Sequence, residues 1–140
     1  MRALIVDDER LARKELMKLL EDHPMIEVVG EAVNAEEAFQ MINELNPDLL
    51  FLDIQMPGKT GFQLLEMLDS VPLVVFTTAY DEFALKAFEV NALDYLLKPI
   101  QPERLSETIA KLSEKERAKV VAERGPEKKL GLNDQVFVKD

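Results

Sequence analysis

The chain has 140 residues, 47% of them hydrophobic, and a formal net charge of −10; this suits one domain with a real core and excludes disorder for the bulk of it. It has no cysteine and a single histidine, His23, which excludes disulfide frameworks, thiolate zinc, a cysteine nucleophile and clustered-imidazole sites. The acidity argues against this segment gripping DNA or an anionic membrane by itself, and neither a signal-peptide shape nor a run of roughly 18 apolar residues is present, so a cytoplasmic protein without a membrane partner is expected.

The first strand is predicted over Arg2 to Val6, an apolar run that ends on Asp7-Asp8. A helix from Glu9 to Asp22 follows, with Leu11, Ala12, Leu16, Leu19 and Leu20 spaced to form one buried face; Pro24 stops it. His23, among polar neighbours, is expected at the surface. The second strand covers Ile26 to Glu31. Asn34 is a predicted N-cap for a helix over Ala35 to Leu45, and Glu37 completes a capping-box pattern. The inner stripe of that helix is Ala38, Met41, Ile42 and Leu45, and Asn46-Pro47 ends it. The third strand runs from Leu49 to Asp53. The loop after it carries Pro57, Gly58 and Gly61, so it needs backbone shapes that other residues resist. A short helix is predicted over Phe62 to Leu68 and a fourth strand over Leu73 to Thr77. Asp81 is expected to cap a helix reaching Val90. The fifth strand, Asp94 to Leu97, leads into Lys98-Pro99, with Pro99 a candidate cis proline that aims the lysine. The last helix starts at Glu103, with Leu105, Ile109 and Leu112 on one face.

Buried strands alternating with helices imply right-handed crossovers and helices on both sheet faces. The expected fold is flavodoxin-like, a (βα)5 doubly wound parallel sheet with strand order 2-1-3-4-5. Ligands bind at the carboxyl edge of such a sheet, at the switch point between strands one and three. Asp7, Asp8 and Asp53 end those strands; Thr77-Thr78 and Lys98 end the fourth and fifth.

Carboxylates, a hydroxyl and an ammonium converging at one edge suit a hard cation and a phosphoryl group. Without a cation, at least one carboxylate should resist ionisation. Oxygen donors alone describe magnesium rather than zinc, and the backbone carbonyl of Gln55 could add a ligand. Asp53 is the best nucleophile, able to attack phosphorus and form an acyl phosphate. Lys98 would supply a fixed positive charge, and a threonine hydroxyl a donor. Strand alternation lets only one of Thr77 and Thr78 face the site.

The segments Leu4-Ile5-Val6-Asp7-Asp8-Glu9, Leu52-Asp53-Ile54-Gln55-Met56-Pro57 with Gly61, Thr78-Ala79, and Tyr95-Leu96-Leu97-Lys98-Pro99 resemble the dispersed signatures of the response-regulator receiver domain. The resemblance covers about residues 1 to 120. It implies that Asp53 accepts phosphate from a sensor histidine kinase, and that Asp7, Asp8, Asp53 and the Gln55 carbonyl bind Mg2+. It also implies that Thr78, followed by the small Ala79, and Lys98 read the phosphoryl group while Tyr95 is the aromatic switch. Such a domain is a phosphoacceptor, with at most slow self-phosphorylation from small donors and self-dephosphorylation.

Residues 79–95 are similar to receivers of the LytR/AlgR type, whose output is a LytTR DNA-binding domain, and Val136-Phe137-Val138-Lys139-Asp140 looks like the start of one. The expected organisation is a receiver over 1–122, a linker over 123–132 and the start of a truncated output domain over 133–140. Phosphorylation would drive homodimerisation through the face of the fourth helix, fifth strand and fifth helix, where Phe83, Phe88, Val90 and Leu93 lie; the alternative for each is ordinary core. DNA would be reached only through the missing output domain. Two rival readings are a haloacid-dehalogenase-like Mg-dependent phosphatase and a stand-alone receiver acting by docking. Against the first, Gln55 stands where such enzymes usually carry a second Asp as general acid.

Overall fold

The computed structural model describes residues 1–124, with side chains described through residue 118. The chain divides into two compact units, Met1–Thr108 and Ile109–Asp140. The second is described only as the continuation of a helix begun in the first. The predicted linker from residue 125 onward and the strand-like run over 133–140 lie outside the described residues.

The first unit is built on five parallel strands in the order β2-β1-β3-β4-β5. They are β1 (Arg2–Val6), β2 (Glu27–Ala32), β3 (Leu49–Asp53), β4 (Leu73–Thr78) and β5 (Asp94–Leu97). The helices are α1 (Arg10–Leu20), α2 (Ala35–Leu45), α3 (Gly61–Glu66), α4 (Ala84–Glu89) and α5 (Pro102–Arg124). This is the flavodoxin-like doubly wound arrangement. Every residue of β3 is buried, as befits a central strand covered on both faces. Leu4, Val6, Leu50, Leu52, Val74 and Phe76 alternate onto one face and join Ala38, Ile42, Phe62 and Leu64 in a single core cluster. No described helix is long and apolar enough to cross a membrane.

Local chemistry sets the element ends. The Asn34 side chain accepts from the Glu37 N–H at 2.8 Å, as expected, but Glu37 reaches back to the Val33 N–H rather than to Asn34. A reciprocal capping box forms instead at α3, where Thr60 and Gln63 exchange backbone-to-side-chain bonds of 3.1 and 2.8 Å. Gly61 is required by close approach, since a Cβ there would sit 2.6 Å from the Asp53 carbonyl oxygen. Gly58 holds φ at +85°, a conformation that L side chains rarely adopt.

Two local expectations need correction, and Phe83 and Phe88 divide between core and surface. Leu11 is 68% exposed, so α1 buries a narrower stripe, with Leu16 and Leu20 at its centre. Asp81 does not cap a helix by its side chain; a 3-10 turn over Asp81–Phe83 precedes α4, which ends at Glu89. Phe88 is 79% exposed and is not core, whereas Phe83 packs against the core cluster. His23 is half-buried, its N–H bonded to the Leu20 carbonyl. The Lys98–Pro99 peptide is cis.

Candidate functional site

The carboxyl ends of β1 and β3 bring Asp7, Asp8 and Asp53 together, with one oxygen from each lying within 4.8 Å of the others. Asp7 and Asp53 are buried and Asp8 is exposed. Asp7 is already well partnered. Its Oδ1 accepts from the Glu9 N–H at 2.9 Å and its Oδ2 from Lys98 Nζ at 2.7 Å. Arg13, on α1, donates to the Asp7 carbonyl at 2.7 Å and pairs with Glu31 at 2.9 Å. Lys98 Nζ lies 3.6 Å from Asp53 Oδ2, so one ammonium bridges two carboxylates but sits closer to Asp7.

The electrostatics follow this partition. Burial pushes the Asp53 carboxyl up, the Asp7 charge pushes it further, and its pKa reaches about 7 despite the opposing pull of Lys98. Burial by itself would lower Lys98, but its bond to Asp7 and the attraction of Asp53 prevail and raise it. The site thus carries more negative charge than its own cation neutralises. Its donors are all oxygens, which fits a hard divalent cation.

The other predicted site residues lie around this centre. In the sheet register Asp53 pairs with Thr77 and Thr78 pairs with Leu97. Thr77 lines a groove of about 810 Å³ beside Ile5, Asp7 and Lys98. Thr78 is buried, and its Oγ1 accepts from the Tyr80 N–H at 3.2 Å. The Lys98 N–H donates to the Thr78 carbonyl at 2.7 Å, so β4 positions the lysine backbone. Gln55 is exposed and lines a separate groove with Met56, Phe62, Phe83 and Lys86. Tyr95 is half-buried; its hydroxyl donates to the Tyr80 carbonyl, and burial raises its pKa.

Two contributors escaped the sequence reading. Arg13 is one of many charged residues on α1 and carries no local signal. Arg104 does carry one: it stands in the first turn of α5, where the helix dipole disfavours a cation. Its partner is Asp94, a carboxylate in the otherwise apolar β5 run.

Comparison with known proteins gives a consistent picture. An uncharacterized response regulatory protein of Vibrio cholerae is 57% identical over 112 residues, covering 79% of this chain and 47% of the relative. The transcriptional regulatory protein BtsR of Escherichia coli is 49% identical over 133 residues, covering 94% of this chain and 55% of the relative. The chain therefore spans about half the length of these curated relatives, 47% and 55%. Among solved structures, the REC domain of AraT from Geobacillus stearothermophilus superposes with a TM-score of 0.76 at 35% identity, covering 84% of this chain and 96% of that one. The response regulatory domain of mrkE from Klebsiella pneumoniae gives 0.74 at 36% identity, covering 81% and 96%. Residues 3–110 match the response regulator receiver domain family, a span that includes all of the sheet but Arg2 and every residue of the acidic cluster; the chain belongs to that family.

Proposed function

We propose that the chain is a phosphoacceptor switch in which Asp53 takes a phosphoryl group from a phosphohistidine of a sensor histidine kinase. The observation that carries this reading is the placement of Lys98 between two buried carboxylates, 2.7 Å from Asp7 and 3.6 Å from Asp53, beside an exposed third, Asp8. Asp7, Asp8, Asp53 and the Gln55 carbonyl would hold Mg2+. When bound, the ion supplies positive charge to the phosphoryl oxygens. An Asp53 oxygen attacks phosphorus in line, forming a P–O bond as the donor P–N bond breaks. Lys98 is close enough to Asp53 to receive a new phosphoryl oxygen with only a side-chain shift. The Thr78 hydroxyl already accepts from the Tyr80 N–H, which leaves a hydroxyl proton to give to the phosphoryl group.

In this reading Thr78 moves toward the phosphoryl group and Tyr95 responds. The output is homodimerisation through α4, β5 and α5, where Leu85, Phe88, Val90 and Leu97 are exposed. DNA binding belongs to a LytTR-type output domain beginning near residue 133, after a receiver over 1–122 and a linker over 123–132. The name of the BtsR relatives and their greater length support a transcriptional output. A cytoplasmic location goes with a kinase partner of this kind, and the domain acts as a regulatory phosphoacceptor rather than a turnover enzyme.

The test is labelling with a small acyl phosphate and Mg2+, comparing the parent with Asp53→Asn. The expected result is one phosphoryl group on Asp53 of the parent and none on the variant. Sustained turnover of phosphate esters, or label on another residue, overturns the reading.

A further inference from the structure

A second polar cluster lies away from the acidic site, where β5 meets the first turns of α5. The Asp94 carboxylate is only 8% exposed and is fully engaged. Its Oδ1 accepts from the Tyr95 N–H at 2.9 Å and from Arg104 Nη2 at 2.5 Å. Its Oδ2 accepts from Arg104 Nη1 at 2.8 Å and from Thr108 Oγ1 at 2.6 Å. Four such bonds saturate a carboxylate. Arg104 Nη2 makes one further donation, to the Tyr95 carbonyl at 3.1 Å. Both backbone polar groups of Tyr95 are therefore held by one carboxylate–guanidinium unit.

Tyr95 is also held at its other end. Its hydroxyl donates to the Tyr80 carbonyl, and the N–H of that same Tyr80 donates to Thr78 Oγ1. The two tethers differ in strength. The backbone tether is charged, forked and largely buried; the tip tether is a single neutral bond at the surface. Charge-assisted forked bonds are roughly twice as strong as neutral ones. Of the two, the tether at the ring tip is the one that a displacement of Thr78 and its loop would break first.

We propose that Arg104 is a positioning residue for Tyr95: by gripping Asp94, Thr108 and the Tyr95 carbonyl together, it holds β5 still, so that a change at Thr78 is delivered to the Tyr95 ring. The switching part rests on the phosphoacceptor reading above; the pinning part does not. The fork is essential. A lysine at 104 keeps the charge but cannot bond both Asp94 oxygens and the carbonyl at once. An ion pair that merely stabilised the fold would tolerate lysine.

The chain has two tyrosines, Tyr80 and Tyr95, so 3-fluorotyrosine labelling yields two 19F signals, assigned with Tyr80→Phe. Spectra of the full chain are recorded with Mg2+, before and after beryllofluoride, for the parent, Arg104→Lys, Arg104→Met and Thr108→Val. Bound fluoride has its own resonance and reports separately whether the Asp53 site fills. In the parent, the Tyr95 line is expected to be sharp and to move on addition. In both Arg104 variants it should be displaced or broadened before any addition, and most of its response should be lost while fluoride still binds. Thr108→Val should shift the line in the same direction by less, and it supplies the reading if the Arg104 variants do not fold. An unchanged Tyr95 line before addition in the folded variants, or full recovery by lysine, overturns the proposal. Absence of bound fluoride in the parent overturns the phosphoacceptor reading instead, and the lines before addition still decide the pinning.

Discussion

Asp53 and Asp94 are both aspartates on strands of one sheet, and both are nearly inaccessible, at 4% and 8% exposure. Burial pushes each carboxyl upward, and only the neighbours differ. Asp53 faces two further carboxylates and shares one ammonium with Asp7, so its pKa rises to about 7. Asp94 has a guanidinium fork, a hydroxyl and a backbone N–H, and these hold its carboxyl far below the usual range. The comparison teaches that burial sets the cost of a charge and the second partner sets its use. Asp94 is satisfied by the protein and holds two elements together. Asp53 is left with uncompensated like charges, a condition that a bound cation relieves.

The largest expected effect is at the unsatisfied member. Asp53→Asn should abolish phosphoryl incorporation from a small donor, read by intact-protein mass spectrometry; Asp94→Asn should still incorporate label. Equal labelling of the Asp53 variant would erase the distinction between the two carboxylates.

Stability should divide them the other way. Asp94→Asn removes the nearer of two carboxylates from Arg104, whose side chain is 36% exposed and also lies 3.6 Å from Glu107, a loss of about 2 kcal/mol, the scale of hydrogen bonds to a charged group. Urea unfolding measures it, and an Asp94 variant as stable as the parent would show that the clamp holds nothing. In chelator at pH 8, Asp53→Asn should instead be more stable than the parent, within a ceiling on the order of 4 kcal/mol set by the raised carboxyl.

The pH dependence sharpens the contrast, because the two shifts have opposite sign. Folded Asp53 takes its proton at about 7, whereas the unfolded chain waits until 3.8. In chelator, its contribution should make stability rise as pH falls through that interval. Folded Asp94 resists protonation that the unfolded chain accepts near 3.8, so its stabilisation is lost as pH drops through that value and below. Asp53→Asn should flatten the upper arm and Asp94→Asn the lower. Added Mg2+ should raise the midpoint most above pH 7, where Asp53 is ionised.

The smallest effect is a control at a residue that belongs to neither cluster. Asn34→Ala deletes the α2 cap and should cost about 1 kcal/mol in thermal or urea unfolding, without altering labelling. A loss of labelling there would mean that the acidic site depends on more than its own neighbours.

Much of the fold was legible because its signals are local. Apolar runs of strand length, the Asn34 cap and the Pro-Gly loop after β3 each act within a few residues, and their regular alternation leaves few topologies. The failures are equally local in cause. Leu11 sits on the helical period of α1 but at its first turn, beyond the core's reach, and is 68% exposed. The predicted fourth helix fails at its start because Asp81 makes a 3-10 turn and no side-chain cap.

Sequence alone determined which residue types would end the strands, and a parallel sheet must gather its strand ends along one edge. Asp7, Asp8, Asp53 and Lys98 could therefore be named together in advance. Only the tertiary structure decided how they share charge. Lys98 reaches across 91 residues of chain to bond Asp7 in preference to Asp53, and Arg104 finds Asp94 and the Tyr95 carbonyl on a different element. Periodicity and capping act over a few residues along the backbone, whereas the choice between two carboxylates turns on differences of about an ångström between segments that meet only when the chain is folded.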